Sequence, residues 1–332
     1  MEKPDGREEV MKYRVLGRTG INVSEVGYGA WGIGGELWSG SKDDESMAAL
    51  RTAVDQGLNF IDTALAYGQG HSERLVSRLL KEYPGKLSVA TKIPPKNGQW
   101  PAAPKSKLRD VFPHKYIIEC VEKSLKNLAV DRIDVEQFHV WNDDWANDNE
   151  WWDAIQSLKE QEKIRYVGIS INDHQPENAI ETGKTGRIDS FQVIFNIFDQ
   201  SPIRKLFPFC QKENIGIIVR VPFDEGSLTG SITLDTKFPP SDFRHKYFTD
   251  ERKKEVVRRV AMLKKVLGTE AATLPELALR FCLSFPAVST IIPGMRTSRN
   301  VIANCAVSDG RFLSPSLLEK LREHAWDRNF YD

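Results

Sequence analysis

Short apolar runs recur along the chain, and each is followed by a longer stretch whose apolar positions return with helical spacing. The runs read as strands buried on both faces, and the stretches as amphipathic helices. Ser24–Tyr28 precedes a helix over Lys42–Gln56, Phe60–Asp62 one over Glu73–Lys81, and Ser88–Lys92 one over Lys115–Leu128. Ile133–His139 precedes Glu150–Glu162, Arg165–Ser170 precedes Pro176–Gly183, and Ser190–Phe195 precedes Ser201–Glu213. Gly216–Val221 is followed by Thr249–Leu267 and an additional helix at Pro275–Ser284, and Ser289–Ile292 is followed by Ser298–Ala306. Eight such units predict an α/β fold, a closed (β/α)8 TIM barrel. An open doubly wound sheet is the alternative, but no GxGxxG opens a helix after any of these strands. Ahead of the barrel, Met11–Leu16 and Val23–Tyr28 flank the turn Gly17-Arg18-Thr19-Gly20 and predict a hairpin. Two long irregular stretches, 93–114 and 227–248, follow strands and so belong to the rim at the strand C-termini. Long rim loops of this kind are commonly functional.

Composition narrows the class. The polar first ten residues are expected to be a disordered leader, with 11–332 forming a single barrel domain. Lys plus Arg (46) equals Asp plus Glu (46), which argues against a nucleic-acid partner and gives no support to an anionic membrane surface. No apolar run reaches the length of a membrane span. Cys120, Cys210, Cys282 and Cys305 are scattered without CxxC spacing, as expected of idle thiols in a cytoplasmic protein.

Candidate chemistry sits at the strand ends. Asp62, Lys92 and His139 each close an apolar run, and Tyr67 lies in the short loop after Asp62. Barrel closure puts strand C-termini around one pocket. There an acid, a phenol, an amine and an imidazole can move a proton. An ammonium about 4 Å from a phenol, at an effective dielectric of ~20, attracts the phenolate by roughly 4 kcal/mol, about three pKa units. Lys92 is therefore expected to lower the Tyr67 pKa, with Asp62 holding Lys92 and blunting its field. His139 would orient a carbonyl. None of these groups can supply hydride, so a cofactor must.

The segment Asn59-Phe60-Ile61-Asp62-Thr63-Ala64-Leu65-Ala66-Tyr67-Gly68 resembles the signature of the aldo-keto reductase superfamily. Gly17-Arg18-Thr19-Gly20-Ile21-Asn22-Val23-Ser24, Arg165-Tyr166-Val167-Gly168-Ile169-Ser170, Leu228-Thr229-Gly230 and Ile292-Pro293-Gly294-Met295-Arg296 resemble its bacterial, potassium-channel-β-subunit-like branch. The resemblance implies a hairpin plugging the barrel bottom. It also implies NADPH-dependent reduction of aldehydes or ketones, reversible as alcohol oxidation, without metal. Tyr67 would be the general acid and base, Lys92 its tuner, Asp62 the anchor of Lys92, and His139 the carbonyl orienter. Ser170, Asn172 and Gln192 would grip the nicotinamide carboxamide; Ile171 intervenes where the family has Ser followed directly by Asn. Arg220 stands where an aromatic residue often stacks on the nicotinamide, and a guanidinium can also stack flat.

Pro222, Phe223, Gly226 and Leu228 belong to a loop whose amides can wrap a pyrophosphate. Gly294 and Arg296 lead into a helix start that favours an anion, and the resemblance implies that Asn300 and Asn304 contact phosphate and adenine. Arg296 can fork onto a 2′-phosphate, favouring NADP(H) over NAD(H). Trp31, Trp100 and Trp141 are candidate substrate-pocket walls, and Trp38 also falls in a rim segment. Asn142, Asp143, Asp144 and Asn147 make the loop after His139 acidic and lean toward hydroxylated, uncharged or cationic substrates. Relatives with long C-terminal loops take steroids, and this chain lacks such a loop, so a sugar or other small carbonyl compound is expected. Two alternatives stay open: physiological oxidation of sugar or cyclitol hydroxyls, and a cofactor-binding regulatory subunit on the same fold. A homo-oligomer is compatible with the sequence.

Overall fold

In the computed structural model, residues 11–326 are described except 36, 37 and 39. The expected leader over 1–10 and the terminal Phe330 and Tyr331 lie outside the described residues. Among the described residues there are ten strands: β1 Tyr13–Val15, β2 Asn22–Ser24, β3 Tyr28–Gly29, β4 Phe60–Asp62, β5 Ser88–Ile93, β6 Ile133–Phe138, β7 Ile164–Ser170, β8 Ser190–Ile194, β9 Gly216–Arg220 and β10 Thr290–Ile291. β3 to β10 pair in parallel in chain order. Parallel bridges Val26↔Ile291 and Gly29↔Gly294 join the first of these strands to the last and close the (β/α)8 barrel. A Cβ at Gly29 would stand 2.5 Å from the Ile292 carbonyl oxygen, so this seam requires glycine.

The helices are α1 Asp43–Asp55, α2 His71–Glu82, α3 Leu108–Val111, α4 His114–Leu128, α5 Asn149–Glu160, α6 Ile180–Lys184, α7 Leu206–Glu213, α8 Phe243–Tyr247, α9 Asp250–Leu263, α10 Leu274–Leu283, α11 Ser298–Cys305 and α12 Pro315–Arg322. Most lie within a residue or two of their expected bounds. The helix expected from Pro176 starts only at Ile180, because Gln175 and Asn178 form turns that brace the loop after β6 instead. Ser201–Ile203 is a separate 3-10 turn before α7. The long stretches 93–114 and 227–248 carry the short helices α3 and α8, and the tail carries α12.

The hairpin is made by β1 and β2 alone; the run through Tyr28 splits between the hairpin and the first barrel strand. Its side chains Leu16, Ile21 and Val23 form one buried apolar cluster with Phe60, Ala90, Val135, Ile218 and Ile292. The hairpin thus plugs the N-terminal mouth of the barrel. Gly17, at φ +50°, seats it: a Cβ there would stand 2.2 Å from the Gly216 nitrogen. Strand alternation then decides what lies above this floor. Two residues beyond Phe60, Ala90 and Val135 come Asp62, Lys92 and Gln137, a polar layer nearer the C-terminal rim. Lys92 is directly paired with Gln137, and Ser170 with Gln192. Cys120, Cys210, Cys282 and Cys305 are all buried free thiols. Among the described residues no helix is long and apolar enough to cross a membrane.

Candidate active site

Lys92, fully buried, is the hub of the polar layer. Its Nζ donates to Asp62 Oδ1 at 2.5 Å, to the Thr63 carbonyl at 2.8 Å and to the Tyr67 hydroxyl at 3.2 Å. The other Asp62 oxygen accepts from Gln192 Nε2 at 2.7 Å and Gln137 Nε2 at 3.1 Å. Four polar groups, two of them acting through Asp62, therefore fix one ammonium beside one phenol. Asp62, Tyr67 and His139 border a cavity of about 740 Å³. The Tyr67 and His139 rings meet edge to face, 5.6 Å between centroids, and Trp100 meets His139 at 4.4 Å.

The electrostatics differ in one respect from the sequence expectation. Burial works hardest against the Lys92 ammonium, but Asp62 and Tyr67 together outweigh it, so its pKa is raised and it stays charged. Tyr67 is raised too, not lowered: burial outweighs the attraction of Lys92, and Asp62 adds to the rise. The isolated ammonium–phenol pair omits both opposing effects. His139 is held well below the usual imidazole range by burial and by the charges of Lys92 and Arg220, which leaves it neutral. Its Nδ1 is buried without a hydrogen-bond partner.

Of the residues expected to bind cofactor, Ser170, Asn172, Gln192, Arg220, Pro222, Phe223, Gly226, Gly294, Arg296 and Asn300 line the cavity. Leu228 and Asn304 do not. Leu228 is packed in the core, and its backbone N–H is spent on the Phe223 carbonyl inside a tight turn. Asn304 lies buried on α11, one turn past Asn300. Asn172 reaches the cavity, but its amide accepts from the Trp141 N–H at 3.1 Å and donates to the Trp141 carbonyl at 2.8 Å. It splints the loop after β6. Arg220 donates to the Ile171 carbonyl at 3.0 Å and pairs with Asp173.

Trp31, Trp38 and Trp100 line the cavity. Trp141 does not: it is fully buried in an aromatic cluster with Phe138, Trp145 and Trp151, its indole N–H donating to Thr182 Oγ1 at 2.8 Å. The acidic loop after His139 also loses its expected role. Asp143 accepts from the Glu181 and Thr182 backbone N–H groups at the start of α6, and the Asn142 side chain caps the turn that follows it.

Sequence reasoning missed Gln137, Asp173, Glu225 and Arg244. Gln137 could have been found as the one amide in an apolar strand run, two residues before His139. Arg244 lies in the long loop after β9, and only its aromatic company signalled a wall. Its guanidinium sits 4.5 Å from the Trp38 ring centroid, and that of Arg296 sits 5.6 Å from the same ring. Arg296 is pushed below its usual value by burial and by the charge of Arg244. Two cations thus share one indole at the end of the cavity where α11 begins.

Comparison with known proteins fits this geometry. Residues 25–325 match the model of the aldo/keto reductase family. The chain is 32% identical over 301 residues to aldo-keto reductase YhdN of Bacillus subtilis, covering 86% of this chain and 85% of that protein. It is 29% identical over 312 residues to the NADH-specific methylglyoxal reductase of Escherichia coli, covering 89% and 93% of the two chains. The solved glycerol dehydrogenase AKR11B4 of Gluconobacter oxydans superposes with a TM-score of 0.77 at 28% identity, over 96% of this chain and 95% of that one. The plugged barrel and the sequence matches lead to one assignment: this chain belongs to the aldo/keto reductase family, oxidoreductases that use nicotinamide cofactors.

Proposed function

We propose that this chain reduces small aldehydes and ketones with NADPH and catalyses the reverse alcohol oxidation with NADP+, Tyr67 serving as general acid and base. The observation that carries the reading is the Tyr67 hydroxyl, 3.2 Å from an ammonium clamped by Asp62, at the border of a cavity large enough for a cofactor and a small substrate.

The cavity wall fits a phosphorylated dinucleotide. Ser170 and Gln192 lie near Tyr67 and would meet the nicotinamide end. The loop Phe223–Gly230 would meet the diphosphate, and Arg296 and Arg244, beside the N-terminus of α11, would hold a 2′-phosphate. The nicotinamide, when bound, supplies hydride to the carbonyl carbon or takes it back. The protein's own work is proton transfer. A carbonyl oxygen seated between the Tyr67 hydroxyl and the neutral His139 imidazole accepts hydrogen bonds from both, and the Tyr67 proton moves to it as charge develops. Lys92 steadies the resulting phenolate. Trp31 and Trp100 screen the site from water and offer flat apolar faces to the substrate. The names of two similar proteins, a methylglyoxal reductase and a glycerol dehydrogenase, support small carbonyl or polyol substrates.

One of those proteins is NADH-specific, so the preference for NADPH rests on the paired guanidinium groups. Nicotinamide absorbance, followed in both directions across a panel of aldehydes, ketones and polyols with each cofactor, tests the assignment. NADPH turnover is expected. Arg296→Ala should raise the NADPH Kd roughly 10–100-fold, the worth of a charge-assisted hydrogen bond, while the NADH Kd moves little. Equal losses for both cofactors would remove the 2′-phosphate assignment, and no turnover with either would remove the proposed activity.

A further inference from the structure

The loop proposed to meet the diphosphate contains acid where an anion must settle. Asp224, Glu225 and Gly226 are consecutive left-handed residues, at φ 50°, 53° and 106°. Such a run is strained for side chains other than glycine. It places Glu225 in the cavity wall, alongside Arg220 and Gly226. The charged groups that face Glu225 come from four places: Asp224 beside it in its own loop, Asp173 after β7, Arg220 at the end of β9 and Arg244 in α8. Neither cation is dedicated to it. Arg220 is paired with Asp173, and Arg244 is held by both carboxylate oxygens of Asp242, at 2.8 and 2.7 Å.

We propose that Glu225 admits the dinucleotide only as the neutral carboxylic acid, so that cofactor binding is coupled to a proton held at this side chain. The proposal rests on the reading that this cavity binds a nicotinamide dinucleotide. As an acid, Glu225 can donate a hydrogen bond to a phosphate oxygen. As a carboxylate, it repels the diphosphate in a partly desolvated wall, where like charges interact strongly. Burial, reinforced by Asp173 and Asp224, pushes the Glu225 carboxyl up to about 8, so the admitting form dominates at neutral pH and is lost above it.

NADPH binding to the intact protein, followed by tryptophan fluorescence quenching from about pH 7 to about pH 9.5, tests this by proton linkage. The wild-type Kd should stay flat up to about 8, the pH at which Glu225 ionises. Above that it should rise by about tenfold per pH unit. Titration calorimetry in buffers of differing ionisation heat should show uptake approaching about one proton per NADPH at the alkaline end. Glu225→Gln should bind with a Kd independent of pH and take up no proton. NADPH binding whose Kd is flat in the wild type, or equally steep in Glu225→Gln, overturns the role of Glu225 alone. Absence of NADPH binding at every pH in the wild type overturns the cofactor assignment and this inference with it. The wild-type proton count stands as a test even if the variant misfolds.

Discussion

Tyr67→Phe is expected to cut kcat for aldehyde reduction roughly 10²–10⁴-fold, the range that a positioned proton donor contributes. The NADPH Kd should move little, because phenylalanine keeps the ring that packs between Trp31 and His139. The pH profile gives a sharper signature. The Tyr67 pKa is raised by burial despite Lys92, so the phenol stays protonated throughout the neutral range. Reduction needs the proton and should run on a plateau that extends well into alkaline pH. Oxidation needs the phenolate and should climb with pH across the same interval. Single-turnover kinetics in both directions check this. A Phe variant that keeps wild-type rates, or a reduction rate that falls through neutral pH with a Tyr67 signature, would contradict the assignment.

That reversal of sign shows what one dimension can and cannot reveal. Asp62, Lys92 and His139 could be found because each ends an apolar run, and a parallel barrel gathers such ends at one rim. The inward phase was equally readable: counting by twos from Phe60, Ala90 and Val135 arrives at Asp62, Lys92 and Gln137. The balance that sets the Tyr67 pKa could not be read, since burial depends on loops that close over the ring from distant parts of the chain.

Aromatic residues show the same divide. Trp31, Trp100 and Trp141 look alike in sequence, each near a strand end. Trp141 turns inward because Thr182 takes its indole N–H and Asn172 splints its backbone, and both partners lie on later units of the barrel. The acidic residues after His139 likewise looked like a pocket lining. Neither lines the cavity: Asp143 caps the start of α6, a role visible only once α6 is seen to start four residues later than its sequence pattern predicts. Arg244 was hidden for the opposite reason: no periodicity marks a residue in a long irregular loop, and its importance comes from packing on Trp38 in the cavity wall.

Lys92→Met should damage two properties at once, and a second substitution should separate them. The single change leaves the Asp62 carboxylate buried with only the Gln137 and Gln192 amides as partners. Breaking one side of a buried ion pair typically costs about 3–5 kcal/mol. For a domain of this size that corresponds to a fall in Tm on the order of 10 °C. It also removes the cation that steadies the Tyr67 phenolate, so kcat should fall at least about a hundredfold. Adding Asp62→Leu replaces the stranded carboxylate with an apolar side chain, and such replacement of a whole buried pair is often neutral or stabilising. The double variant should therefore recover most of the lost Tm and none of the lost rate. Thermal unfolding and steady-state kinetics on the wild type, both single variants and the double variant close the cycle. If activity returned along with stability, Lys92 would be a structural ion-pair partner and no more. If neither returned, the loss would lie in packing around the lysine stem. Recovery of stability alone is what an ammonium kept for its effect on Tyr67 requires.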